Sequence, residues 1–218
     1  MKVELQYGHD EISLSVPEDS LIYKSVYKYA DKTASELVLE SIFKPIGSQK
    51  LVNLLKHRRK GDVVIVVSDI TRPIPYREFL PQMIDVMLKN GVEKSEIIIL
   101  VATGMHRAST PSERLTMFGD FIVNNYRIID HNCESEAGLV KLDGVSWSGS
   151  VIRLNKHYVR AGFRIVTGLV EPHFMAGFSG GRKAICPGLV SLDTIKKFHG
   201  YEFLSHPNSS GGILQDNP

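Results

Sequence analysis

Asp62-Val-Val-Ile-Val-Val-Ser-Asp69 (DVVIVVSD) is the stretch on which the fold turns. Five consecutive β-branched residues leave no polar face, so this strand must be buried on both sides, as in a parallel sheet covered by helices. The same signature returns at Glu96–Thr103 (EIIILVAT) and at Phe163–Val170 (FRIVTGLV), with Tyr126–His131 (YRIIDH) and Ser150–Asn155 (SVIRLN) as further strands. Helical spacing marks Ser35–Phe43 and Ser48–His57 before the first buried strand, and Tyr76–Gly91 after it, with Pro81 predicting a ragged start and Gly91 a stop. Thr110 reads as the N-cap of a short helix with Pro111 at its first position and Gly119 at its end, and Ser191 caps a last helix stopped by Gly200. At the front, alternating Lys2–Tyr7 and Glu11–Val16 around Gly8-His9-Asp10 predict a β-hairpin. Buried strands alternating with helices specify an α/β fold: a mostly parallel sheet with helices on both faces, preceded by an N-terminal β-hairpin.

Composition narrows the function. The 218 residues suffice for a sizeable core, and a net charge of +2 indicates no nucleic-acid partner. The one dense basic run, Lys56–Lys60, suits the C-terminal turn of a helix better than a phosphate site. No apolar run approaches the ~20 residues that cross a bilayer, and the first residues lack the apolar core of a signal peptide. Two cysteines, Cys133 and Cys186, make no disulfide framework. A cytoplasmic protein without membrane contact is therefore expected.

Ligands of open α/β sheets bind outside the carboxyl ends of the strands. The segments following the three buried strands carry Asp69 to Arg72, then His106 and Arg107, then His173 and Lys183. If the strands are parallel, all of these crowd one edge. Pro172 sets an extended approach to His173, and Gly177, Gly180 and Gly181 allow backbone N–H groups to turn toward an anion. A triphosphate-binding loop is excluded: counted from Gly177, Arg182 takes the place of the second glycine and Ala184 that of the hydroxyl residue which would hold magnesium. A phosphorylated ligand remains. Two histidines titrate near neutrality and can alternate as acid and base. A desolvated lysine is a nucleophile, and His199 on the following helix is a possible metal ligand or a purely structural residue.

Taken together, Ser68–Pro73 (SDITRP), Thr103–Arg107 (TGMHR), Glu171–Gly188 (EPHFMAGFSGGRKAICPG) and Phe198–Gly200 (FHG) resemble the N-terminal domain of the nickel-pincer lactate racemase family, in order and spacing across nearly the whole chain. The resemblance makes residues 1–218 one cofactor-binding and catalytic domain. It implies a nickel-pincer nucleotide, Ni(II)-pyridinium-3,5-bisthiocarboxylic acid mononucleotide, joined covalently to the residue matching Lys183, with His199 as the protein's nickel ligand. Asp69, Ile70, Thr71 and Arg72 match the cofactor-contacting segment, and His106 and His173 match the acid/base pair. The chemistry so implied is racemisation of a small 2-hydroxy acid, one histidine taking the hydroxyl proton while the α-hydride moves to the cofactor.

Members of that family are about twice as long, and their second domain supplies contacts to the substrate carboxylate. The present chain is accordingly expected to be the first half of a two-domain racemase. Its implied partners are a small 2-hydroxy acid, the C-terminal domain of the same protein and the enzymes that make the cofactor. Two other readings stay open: a free-standing cofactor-binding module without activity, and a Schiff-base enzyme, aldolase-like, that uses Lys183 without metal. The polar segment from His206 to Pro218 offers no closing element and reads as a flexible tail or a continuation.

Overall fold

The structure, a computed structural model, describes residues 1–8, 10–23, 30–144 and 151–218. It divides into two compact units, Met1–Lys32 and Thr33–Pro218. The first is the expected hairpin: β1 (Lys2–Tyr7) pairs antiparallel with β2 (Asp10–Ser15), with Leu5 opposite Ile12 and Val3 opposite Leu14. Asp10, expected in the turn, pairs with Tyr7 and belongs to the second strand, while His9 lies outside the described residues.

The second unit begins with α1 (Ala34–Phe43), whose N-cap Thr33 and Glu36 cap each other's backbone, and α2 (Leu51–Lys56). There follow β3 (Val63–Ser68), α3 (Tyr76–Lys89), β4 (Ile97–Ala102), α4 (Pro111–Asn125) and β5 (Arg127–Asp130). Next come β6 (Leu139–Lys141), β7 (Arg153–Asn155), α5 (Lys156–Arg160) and β8 (Phe163–Val166). The chain closes with β9 (Pro172–His173), β10 (Gly177–Phe178), α6 (Leu192–Phe198) and α7 (Tyr201–Leu204).

The central sheet has the order β5-β4-β3-β8, parallel throughout. Strand order reverses at β3, with β4 on one side and β8 on the other. That is the position at which a crevice opens beyond the carboxyl ends of the strands. Val63 to Val67 and Ile97 to Val101 are fully buried or nearly so. Each such side chain contributes about 1.5–3 kcal/mol over exposure, so these two strands dominate the core. Val63, Ile65 and Val67 face a cluster built with α1 to α4, including Phe79, Leu80, Phe118 and Ile122. Val64 and Val66 face Leu154, Ala161, Ala184, Leu189 and Ile195. Long helices thus cover one face, and short helices with irregular chain cover the other, which anchors the 184–195 segment directly against the sheet.

Local chemistry accounts for most element ends. Thr110 and Glu113 form a reciprocal cap with Pro111 in the first turn. Gly119, at φ 74°, ends the helical geometry as expected, and a second helical stretch follows directly to Asn125. Pro81 is carried inside α3. Ser191 precedes α6, but its hydroxyl meets Thr194 Oγ1 (3.0 Å) rather than the backbone. Arg58 of the basic run is spent on structure, since its guanidinium donates to both carboxylate oxygens of Glu96 (3.1 and 2.8 Å). Within the predicted strand Ser150–Asn155, Arg153–Asn155 pairs with β6 in a separate antiparallel ribbon and not in the main sheet, while Ser150 lies outside the described residues. Among the described residues no helix is long and apolar enough to cross a membrane. Cys133 and Cys186 are free thiols.

Candidate active site

A cavity of about 250 Å³ lies at the carboxyl ends of β3, β4 and β8 and is lined by Asp69, Thr71, Arg72, His106, His173, Lys183 and His199. Of the residues matched to the family's site, all but Ile70, whose side chain is exposed, line it. Arg107 also points elsewhere: its guanidinium grips both carboxylate oxygens of Glu113 (2.8 and 2.7 Å). That contact and the helix cap hold Glu113 at about 2.

Asp69 follows β3 and is nearly buried. Its two oxygens divide the work. Oδ1 accepts from the Thr71 N–H (3.2 Å) and hydroxyl (2.5 Å), which folds the turn that presents Arg72. Oδ2 meets His106 Nδ1 at 2.5 Å. A carboxylate can only accept, so Nδ1 carries the proton and the Nε2 lone pair is left free. The ground under Asp69 is set by Tyr76, whose buried hydroxyl accepts from the Ser68 N–H (2.6 Å) and lies 3.3 Å from Thr167 Oγ1. The Thr167 hydroxyl donates in turn to the Val66 carbonyl (2.8 Å), so the ends of β3 and β8 are clamped together.

His173 has the opposite arrangement. It sits in β9, turned back by the β9–β10 ribbon, and its Nδ1 accepts from the N–H groups of Met175 (3.3 Å) and Ala176 (3.2 Å). Neutral His173 therefore carries its proton on Nε2. Burial, with the cationic Lys183 and Arg72 beside it, lowers its pKa. Burial also lowers the Lys183 pKa, and the Arg72 charge adds to this. Among the described residues the Lys183 ammonium has no hydrogen-bond or ion-pair partner. His199, at the end of α6, has Nδ1 2.9 Å from the Ile195 carbonyl oxygen. A carbonyl only accepts, so Nδ1 donates and Nε2 is available to a ligand.

Gly177 and Gly180 serve close packing. At Gly180 (φ +76°) a Cβ would stand 2.9 Å from the Leu169 carbonyl, and at Gly177 (φ +74°) it would stand 2.1 Å from that of Ile213. Of the three glycines expected to form an anion cradle, only Gly180 lines the cavity. The positive character comes instead from Arg72 and Lys183, faced by the single carboxylate of Asp69.

Three contributors were not legible in the sequence. Tyr76 looked like one more residue of an amphipathic helix. The role of Asp69 as the partner of His106, across 37 residues, has no local signal. His131, almost fully buried, ties the site's far wall: its Nε2 bonds the Val190 carbonyl (3.0 Å), its Nδ1 accepts from Asn155 (3.1 Å), and its own carbonyl accepts from Thr103 (2.7 Å).

Residues 7–212 match the lactate racemase N-terminal domain. The chain is 34% identical to a lactate racemase of Thermoanaerobacterium thermosaccharolyticum over 221 aligned positions, and 36% identical to one of Lactiplantibacillus plantarum over 219. Each alignment covers 99% of this chain and 51% of the relative, so the chain spans about half the length of the curated relatives it matches. The structure superposes on the lactate racemase apoprotein of T. thermosaccharolyticum with a TM-score of 0.86 at 33% identity, over 100% of this chain and 51% of the other. A Thermotoga maritima protein shares the fold at 22% identity and a TM-score of 0.67, over 88% of this chain and 46% of that one. With its fold and its conjunction of two histidines, a lysine and a carboxylate in one cavity, the chain belongs to the lactate racemase N-terminal domain family.

Proposed function

We propose that the full-length protein interconverts the enantiomers of a lactate-like 2-hydroxy acid. In this reading the domain holds a nickel-pincer nucleotide on Lys183 and His199 and supplies His106 and His173 for proton transfer. The observation that carries the proposal is the complementary state of the two histidines in one cavity. Neutral His106 offers a lone pair at Nε2, and neutral His173 presents an N–H hydrogen-bond donor there.

The side chains fit such a cofactor. Among the described residues no group of three or more His, Cys, Asp or Glu forms a metal site. A nickel ion here would thus have fewer than three such protein ligands and would need further donors from an organic group. His199 suits the part of a protein ligand through its free Nε2. Lys183, half-buried and with its pKa lowered, has the nucleophilic amine that a covalent link requires. Arg72 suits a phosphate or a carboxylate. A cavity of about 250 Å³ takes the reacting end of a nucleotide and leaves the rest for the other half of the protein to enclose.

When bound, the cofactor supplies an acceptor for the substrate's α-hydride. His106 receives the hydroxyl proton of one enantiomer at Nε2, and Asp69 stabilises the imidazolium that results. His173 faces the substrate oxygen of the other enantiomer with its Nε2–H, held in place by the two N–H donors on Nδ1. Arg72 and the cationic lining favour the anionic substrate.

The test uses full-length protein coexpressed with the cofactor-making enzymes, with the racemisation rate normalised to nickel-cofactor occupancy. His106→Ala and His173→Ala should each lower it by at least about 10²-fold, and the double variant should be little worse than either. A near-normal rate in either variant removes that histidine from the mechanism. Borohydride trapping of a keto acid on Lys183 would instead favour Schiff-base chemistry.

A further inference from the structure

The segment after α7 folds back onto the loop that carries His173. The Gly212 N–H donates to the Gly177 carbonyl (2.8 Å), and the Ile213 carbonyl occupies the space a side chain at Gly177 would need. Asn217 makes the central contact. Its Nδ2, with two hydrogens to share, lies within hydrogen-bonding distance of the carbonyls of Asn208 (2.7 Å), Met175 (2.9 Å) and Ile213 (3.1 Å). Ser209 roots the strap on α7 through the Phe203 carbonyl (2.5 Å).

Met175 is also one of the two residues whose N–H groups hold the His173 ring. Those bonds, at 3.3 and 3.2 Å, lie at the long end of the normal range and weaken with a small displacement. We propose that Asn217 is a positioning residue for His173, fixing the Met175 peptide and thereby the proton of His173 on Nε2. Asn217 touches neither substrate nor cofactor. Its kinetic consequence rests on the proton-transfer role proposed above, and its structural consequence does not.

Two readouts separate them. Full-length protein labelled with ¹⁵N-histidine reports which His173 nitrogen is protonated, the signal being assigned by its loss in His173→Gln. In the native sequence Nδ1 should be unprotonated. Asn217→Ala removes the donor, and Asn217→Asp sets a carboxylate against three carbonyls; both should give a mixture of tautomers. In the cofactor-loaded enzyme the same variants should lower kcat about tenfold or more, with KM little changed and Lys183 adduct occupancy intact. Gln215→Ala, on the exposed side of the strap, should match the native protein in both readouts. If Asn217→Ala does not fold, Asn217→Ser, which keeps a shorter donor, takes its place. A His173 that keeps Nδ1 unprotonated in the Asn217 variants overturns the proposal whatever the kinetics. A normal rate in His173→Ala would remove only the proton-transfer reading, leaving the tautomer result to decide the strap.

Discussion

Asp69→Asn isolates the contribution of the carboxylate to His106. The substitution is isosteric, so the cavity keeps its shape, and an amide oxygen can still accept from Thr71. What changes is the 2.5 Å contact to His106 Nδ1. A charge-assisted hydrogen bond contributes about 1.5–3 kcal/mol. The His106 side chain is 58% exposed, so water screens the pair and competes for the ring. A discounted value of about 1–2 kcal/mol is appropriate, equivalent to about a 5- to 30-fold loss of rate. The loss should be smaller than that of His106→Ala, because the ring remains and still samples the productive tautomer. Asp69→Ala should be worse than Asp69→Asn, since the Thr71 turn that presents Arg72 loosens as well. The assay is racemisation by full-length enzyme, normalised to cofactor occupancy. Adding Asp69→Asn to His106→Ala should cost nothing further, because the carboxylate acts through that ring. An Asp69→Asn rate within twofold of native, or a full additional loss in the double variant, refutes the pairing as the source of the effect.

Lys183→Ala and Lys183→Arg should both abolish covalent cofactor attachment, read as intact mass, since a guanidinium is a poor nucleophile; an adduct persisting on either refutes the assignment. His199→Ala should lower bound nickel while the organic adduct stays on Lys183, and equal nickel at equal adduct occupancy would exclude His199 as ligand. His131 makes stability depend on pH. Burial lowers its pKa below the ordinary 6.5, so under acid conditions the unfolded chain binds the proton that the folded chain refuses. Its contribution is whole above about pH 6.5 and is lost as pH falls below it. Urea unfolding at about pH 7.5 and about pH 5.5 should show a smaller acid loss in His131→Gln than in the native protein; equal losses refute the role.

The local chemistry of the chain was legible in its sequence. The apolar runs at Val63–Val67 and Ile97–Val101 can only be central strands, because no single-faced element accommodates five consecutive buried side chains. The Thr110 cap with Pro111 involves neighbours in the chain, and so does the turn at Gly91. Loops that follow parallel strands must emerge at one edge, which is why the sequence alone brings Asp69, His106, His173 and Lys183 together. Tertiary structure alone decided what those groups do to one another. The protons on His106 and His173 are set by Asp69 from another strand and by two peptide N–H groups in a folded ribbon. The stop at Gly119 is local, with a φ of 74° outside helical geometry, whereas the second helical stretch that follows to Asn125 depends on packing through Ile122. The segment after His206 read as polar tail and is a strap, because Asn217 finds carbonyls brought within reach only by the fold. Periodicity and capping act over a few residues and survive in the sequence, whereas partners 37 or 42 positions apart meet only when the sheet and its loops are assembled.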